Sequence, residues 1–75
     1  MTSDEWIAAF AAEIGAEAPN EGEIAEILDL AAVAAHASER IAAPIACWMA
    51  GATGRPLAEM LDAARVLAGE GVSDV

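Results

Sequence analysis

Apolar residues recur along this chain at the three- and four-residue spacing of amphipathic helices. In the first segment Trp6, Phe10 and Ile14 follow one another at intervals of four, with Ile7 beside them, and this spacing places them on one face of a helix. The apolar spacing is helical throughout the chain, and the chain contains no Asn-Gly or Asp-Gly hairpin turn. The pattern therefore predicts an all-α fold.

Two capping boxes mark where the first and second helices begin. In a capping box, a side-chain oxygen accepts a hydrogen bond from the backbone three residues later, and a glutamate there accepts one from the cap residue's own N–H. Thr2 and Glu5 form the first pair, and Asn20 and Glu23 form the second. We therefore expect helices that begin at residues 3 and 21.

Glycine and proline mark the remaining helix ends. Gly15 and Gly54 suit the left-handed residue that follows a helix. Pro44 cannot lie deep in a helix because it lacks an N–H and its ring strikes the preceding turn, and Pro56 suits the first position of a new helix. Together these residues predict one compact four-helix domain with short connections, with helices at residues 3–14, 21–38, 42–53 and 56–68 and a frayed tail at residues 69–75.

The core is predicted from the apolar side chains of each helix. Trp6 and Trp48 are interpreted as anchors of the core or of an interface, because tryptophan supplies a large contact area. The alanines at positions 31–37 add little bulk but allow another helix to approach closely. The other predicted inner positions are Ile24, Ile27, Leu28, Ala31 and Ala35 on the second helix, Ile45, Met49 and Ala52 on the third, and Leu57, Met60, Leu61, Ala64 and Leu67 on the fourth.

The chain is strongly acidic, with thirteen Asp and Glu against three basic residues and a net charge of −10. Such a chain repels phosphate, so nucleic acid and anionic membrane surfaces are poor partners. The first residues lack the positive region of a secretory signal. The longest uncharged run, residues 41–54, is shorter than the roughly 20 residues that a transmembrane helix needs. A cytoplasmic protein is therefore expected.

The residues that could carry chemistry are too few or wrongly spaced for catalysis, cofactor binding or metal binding. Cys47 and His36 are the only residues of their types, which falls short of a structural zinc set, and an apolar setting makes Cys47 inert. Glu23, Glu26 and Asp29 lack the glycine-containing loop of a calcium site, so a solvated helix face is expected. The Asp-Ser-Leu sequence of acyl and peptidyl carrier domains is absent. We therefore predict a non-enzymatic protein.

A polar cluster near the end of the second helix is the candidate interaction patch. It consists of His36, Ser38, Glu39, Arg40 and Pro44. In the functional interpretation these residues bind a partner or a ligand. In the structural interpretation His36 and Arg40 interact with the last carbonyls of the helix, and Ser38 or Arg40 holds a corner that lacks a good N-cap residue. The sequence leaves both interpretations open.

The stretch at residues 27–40, with its Leu-Asp-Leu-Ala, Ala-His and Glu-Arg elements, resembles a small actinobacterial domain family of unknown function. The Ala-Ala-Pro-Ile at residues 42–45 and the Ala-Gly at residues 50–51 continue the resemblance, and Trp6 with Gly15 extends it to most of the chain. Ile41 and the bulky Trp48-Met49 pair depart from the family pattern. That family occurs alone or fused to the C-terminus of proteins resembling molybdenum cofactor guanylyltransferases.

The resemblance implies an accessory or protein-interaction domain that serves an enzyme of molybdopterin guanine dinucleotide synthesis, with a molybdenum cofactor guanylyltransferase as the partner. The alternatives are a ligand-binding module for a pterin or nucleotide and a self-associating structural protein. The net charge of −10 opposes tight binding of a phosphorylated cofactor unless Arg40 and Arg55 converge. A homodimer is a further expected assembly, because apolar surface around Trp48, Met49 and Met60 needs a cover.

Overall fold

The computed structural model describes residues 1–69, which form four α-helices and, over that range, no strand. The helices are α1 (Ser3–Ile14), α2 (Glu21–Ala37), α3 (Ala42–Thr53) and α4 (Leu57–Ala68). The predicted all-α fold of four helices with short connections is confirmed. The tail beyond Gly69, which was predicted to fray, lies outside the described residues.

Both predicted capping boxes are formed. The Thr2 hydroxyl accepts a hydrogen bond from the Glu5 N–H at 3.1 Å, and the Thr2 N–H donates to the Glu5 carboxylate at 2.8 Å. Asn20 and Glu23 make the equivalent two bonds, each at 2.8 Å. Each box satisfies two backbone N–H groups that the helix itself leaves without an acceptor, so α1 and α2 begin where the sequence predicts.

Glycines in the left-handed conformation end α1, α3 and α4. Gly15 and Gly54 both have φ of 71°, as predicted, and Gly69 closes α4 with φ of 86°. Two predicted ends shift by one residue. Ser38 is the C-cap of α2 rather than its last helical residue. Pro56 is the N-cap of α4 rather than its first residue, because its ψ of 139° is extended although its ring holds φ near the helical value.

The core lies where α3 and α4 both pack against α2. Its buried residues within the described range are Leu30 and Val33 of α2, Ala50 of α3 and Leu61 of α4. Small side chains bring α3 close to α2, so that the Cys47 thiol lies 3.8 Å from the Ile27 carbonyl oxygen to which it donates. The core is therefore built around the middle of α2.

Several large apolar side chains predicted to face inward are exposed. Leu28 is 63% exposed and Leu67 is 89% exposed, and Ile45, Trp48 and Met49 lie on the surface of α3. The reason is that α3 packs through Ala50 and its small neighbours, which turns the bulky side chains outward. The predicted inner face of α3 is wrong. On α2 only Leu28 is misplaced, since the other four predicted residues are half-buried, although the fully buried Leu30 and Val33 were not predicted. Leu61 is buried as predicted.

Helix α1 stands apart from the other three helices. No Cα atom of α1 lies within 8 Å of a Cα atom of another helix, and none of its residues is buried. Trp6 and Phe10 stack on one another with ring centroids 4.9 Å apart. The apolar stripe of α1 is therefore formed as predicted, but the chain's own core does not cover it.

Candidate functional site

The candidate interaction patch lies at the corner between α2 and α3. His36 occupies the last turn of α2, Ser38 caps that helix, and Glu39 and Arg40 form the turn. Pro44 is the third residue of α3. An N–H at this position would have no acceptor within the helix, so proline costs no helical hydrogen bond there. All five side chains are exposed. The structure therefore brings the predicted patch together on one accessible corner.

The hydrogen bonds at this corner involve Ser38 and the backbone. The Ser38 hydroxyl donates to the Ala34 carbonyl at 3.1 Å, and the Ala42 and Ala43 N–H groups donate to the carbonyls of Glu39 and Arg40 at 2.9 and 3.1 Å. Within residues 1–69, the side chain of Arg40 forms no hydrogen bond or salt bridge. The corner is tied by Ser38 and the main chain, and the Arg40 guanidinium points its donors to solvent.

An apolar surface continues from this corner along α3. Ile41, Ile45 and Trp48 recur at intervals of four and three residues, which places them on one side of the helix. We call these three residues the outer face of α3. Trp48 is 74% exposed, and Ile41 and Ile45 are also exposed. Since Pro44 precedes Trp48 by one turn, the patch and the outer face form one continuous surface with Arg40 at its end.

A groove separates α3 from α4, which pack on α2 but touch each other little. Two adjoining cavities of about 240 Å³ and 330 Å³ make up this α3/α4 groove and share Ala46 and Ala64 on its two walls. Leu30 and Val33 of α2 form its floor. The groove exists because the alanines on the two walls are too small to fill the space. Its remaining lining consists of Ala34, Ala37, Ser38, Ala42, Met49, Ala50, Thr53, Met60, Leu67 and Ala68, and none of the lining residues is charged.

Sequence reasoning missed this groove. Alanine is neutral in a hydrophobic pattern, so no signal distinguishes the wall positions from other alanines on the same helices. Met49 and Met60 were the usable signal, because they were expected to leave apolar surface exposed, and both line the groove.

A third cavity, of about 490 Å³, lies beside the connection between α3 and α4 and shares Ala50 with the groove. Its polar lining includes Glu17, Glu23 and Arg55. Glu23 is occupied by the capping box, and Arg55 pairs with Glu59 at 3.5 Å. Arg40 and Arg55 flank α3 at its two ends, about 18 Å apart for a helix of this length. The two arginines therefore lie at opposite ends of α3 and do not converge on one site.

The described residues include no group of three or more His, Cys, Asp or Glu side chains that could hold a metal ion. No helix among them is both long enough and apolar enough to cross a membrane.

Cys47 lies partly buried between α2 and α3, and burial raises the pKa of its thiol. A raised pKa lowers the thiolate fraction at any given pH, and the thiolate is the reactive form. We therefore expect iodoacetamide to alkylate Cys47 more slowly in the native protein than in urea, and the native rate to rise only at a more alkaline pH. Mass spectrometry of timed samples measures both rates. Equal rates at neutral pH would contradict the assignment of Cys47 as inert.

Comparison with known proteins gives one match. The model of a family described as a domain of unknown function, DUF6457, matches residues 1–73. Neither the curated proteins nor the solved structures contain a significant match.

Proposed function

Given that the chain belongs to the DUF6457 family of domains of unknown function, we propose that it is a non-catalytic protein-interaction domain. Its binding surface is the corner patch together with the outer face of α3. The proposed partner is a guanylyltransferase-like protein of molybdopterin guanine dinucleotide synthesis. A role beside that enzyme would put the domain in the cytoplasm, as expected from the sequence.

The exposure of Trp48 is the observation that carries the proposal. A tryptophan that is 74% exposed contributes little to the fold of its own chain. Tryptophan and arginine are the side chains that most often dominate the energy of a protein interface. Here Trp48 shares a continuous surface with Arg40, whose guanidinium can hold a carboxylate with two parallel hydrogen bonds. This combination suits a partner with an apolar pocket next to an acidic side chain.

A non-catalytic role is supported by the setting of His36. Acid–base catalysis by a histidine requires a second group that orients the ring. In the part of the chain that the structure describes, His36 is exposed and no side chain donates to or accepts from its ring. The geometry at this corner suits recognition better than proton transfer.

The identity of the partner rests on the sequence resemblance. Domains of the resembled family occur fused to the C-terminus of guanylyltransferase-like proteins, and fusion keeps two parts that act together at a high effective concentration. Where the two parts are not fused, the domain needs a surface that holds it to the enzyme. The outer face of α3 is an exposed apolar surface of the kind that such a contact requires.

Changing Arg40 to alanine is expected to weaken binding to a purified guanylyltransferase-like partner by about 1–3 kcal/mol, the size of a charged hydrogen bond across an interface. The free energy of unfolding should change by less than about 0.5 kcal/mol, since no described side chain pairs with Arg40. Isothermal titration calorimetry measures the first quantity, and thermal denaturation followed by circular dichroism measures the second.

Two variants complete this experiment. Trp48→Ala should weaken the same binding, whereas Arg55→Ala, which removes an arginine from the other end of α3, should leave it unchanged. A melting temperature that falls for Arg40→Ala without a loss of binding would assign Arg40 to the structural interpretation. No binding by the wild-type domain would refute the proposed partner.

A further inference from the structure

We propose that the α3/α4 groove is the docking site for helix α1 of a second copy of this chain, so that two copies exchange α1 in a symmetric dimer. The inference goes beyond the interaction proposed above and does not use Trp48 or Arg40, because neither lines the groove; Ser38 is the residue common to the patch and the groove. It starts from two uncovered surfaces in one chain: the stripe of α1 and the groove.

The stripe of α1 has the properties of a docking helix. Trp6, Phe10 and Ile14 are between 48% and 58% exposed. Ile7 turns instead toward Ile24 of its own chain, where the two side chains line a cavity between α1 and the start of α2. The stacking of Trp6 on Phe10 fixes the stripe in one shape before binding, which reduces the entropy lost on association.

The groove matches that helix in length and chemistry. Helices α1, α3 and α4 have twelve residues each, so each is about 18 Å long. The groove lining is apolar apart from Ser38 and Thr53, and it carries no charge. An amphipathic helix that lays an i, i+4, i+8 stripe into an apolar groove is a recurrent mode of recognition.

A second copy is favoured over the chain's own α1 by the connection between α1 and α2. At one end, the Gly15 and Ala16 N–H groups donate to the carbonyls of Ala12 and Ala11 at 3.3 and 2.8 Å. At the other end, Asn20 is held by its capping box. Pro19 also restricts the residue before it to extended conformations. Little freedom remains for α1 to swing into its own groove.

The area involved is that of a stable dimer. An aromatic side chain buries 150–250 Å² when fully covered, so the half-exposed stripe of one α1 supplies on the order of 400 Å². The groove walls supply about half as much, and a twofold dimer contains the contact twice. The total, on the order of 1,200 Å², reaches the lower limit for a specific, stable protein interface.

Sedimentation equilibrium of the full chain tests the proposal. We expect a dimer for the wild type, and Trp6→Ala and Leu67→Glu should each raise the dissociation constant about 1,000-fold, since a hot spot worth about 30-fold occurs twice in a symmetric dimer. Leu67 is 89% exposed at the groove, so the charge there should not unfold the chain. Circular dichroism checks that each variant keeps its helices, and Phe10→Ala replaces any variant that does not.

Val66→Glu is the matched control. Val66 neighbours Leu67 on α4 and is 58% exposed, but it does not line the groove. Val66→Glu adds the same negative charge as Leu67→Glu to a chain that already carries −10, so it measures the effect of charge repulsion between two copies alone. We expect its dissociation constant to rise by less than about tenfold. An equal loss in Val66→Glu and Leu67→Glu would overturn the proposal.

Mixing two defective variants distinguishes exchange between copies from docking within one chain. Trp6→Ala has an intact groove and Leu67→Glu has an intact α1, so a mixed dimer regains one of the two contacts. In the mixed dimer both substitutions fall in the other contact, where their losses overlap instead of adding. We therefore expect the mixture to associate about 30-fold more tightly than either variant alone. Failure to restore association, or a wild type that is monomeric at about 100 µM, would overturn the proposal. Arg40→Ala and Trp48→Ala should leave the dimer intact, which separates this proposal from the partner interaction.

Discussion

Replacing Leu30 with alanine is expected to lower the free energy of unfolding by about 2–5 kcal/mol, the range for a buried leucine. Leu30 is 4% exposed and belongs to the cluster that α3 and α4 both contact. A chain of 75 residues has a total stability of roughly 4–11 kcal/mol. The melting temperature should therefore fall by roughly 10–30 °C. Urea denaturation at one fixed protein concentration measures the change, because self-association would add stability.

Leu28→Ala is the matched control for this prediction. Leu28 lies on the same helix and was expected from the sequence to face inward, but it is 63% exposed. Its replacement should change the free energy of unfolding by less than about 0.5 kcal/mol. If Leu28→Ala proved as destabilising as Leu30→Ala, the orientation of α2 in this fold would be wrong and the sequence-based one right.

Helix ends were predictable because the interactions that set them are local. The bonds of Thr2 to Glu5 and of Asn20 to Glu23 span three residues each, and a glycine with positive φ needs no distant partner. The ends of α1 and α3 accordingly agree with the sequence prediction to the residue. The one-residue shift at Pro56 arises from its ψ angle, which the proline ring leaves free.

The inward faces of α2 and α3 could not be predicted in the same way. From Leu30 to Ala37, α2 contains a single polar residue, His36, so its pattern has no polar side to define an inner one. Helix α3 carries no charged residue at all. Side-chain size was then the remaining basis for predicting which residues face inward, and it favoured Trp48 over Ala50 as a core residue. Tight helix packing reverses that preference, because small residues permit the closest approach of two helices.

The candidate patch depends on local sequence, whereas the groove depends on the tertiary arrangement of the helices. His36, Ser38, Glu39 and Arg40 are close in sequence, so any turn after α2 keeps them together and the sequence alone predicts the patch. The groove depends on α3 and α4 meeting α2 at adjacent positions, which is a tertiary arrangement. Its wall residues Ala46 and Ala64 are distant in sequence and ordinary in type.

Replacing Ala50 with aspartate is expected to lower the free energy of unfolding by about 3 kcal/mol or more, because it buries an unpaired charge. Ala50 is 6% exposed in the core cluster. No basic side chain lines the groove, and Arg55, which lines the 490 Å³ cavity that Ala50 also borders, pairs with Glu59. Burial would raise the pKa of the new carboxyl, so the loss should be present at neutral pH and should shrink as the pH falls through that raised value. Chemical denaturation at neutral and mildly acidic pH measures both effects.

Ala52→Asp makes the same change two residues away on the same helix. The sequence-based prediction put Ala52 on the inner face of α3, whereas the structure exposes it. We therefore expect Ala52→Asp to alter the free energy of unfolding by less than about 1 kcal/mol, mainly through the weaker helix propensity of aspartate. The two variants share charge, helix and propensity, so their difference isolates burial. The reverse order, with Ala52→Asp the more damaging, would mean that Trp48 and Ile45 face the core and that the outer face of α3 is not a binding surface.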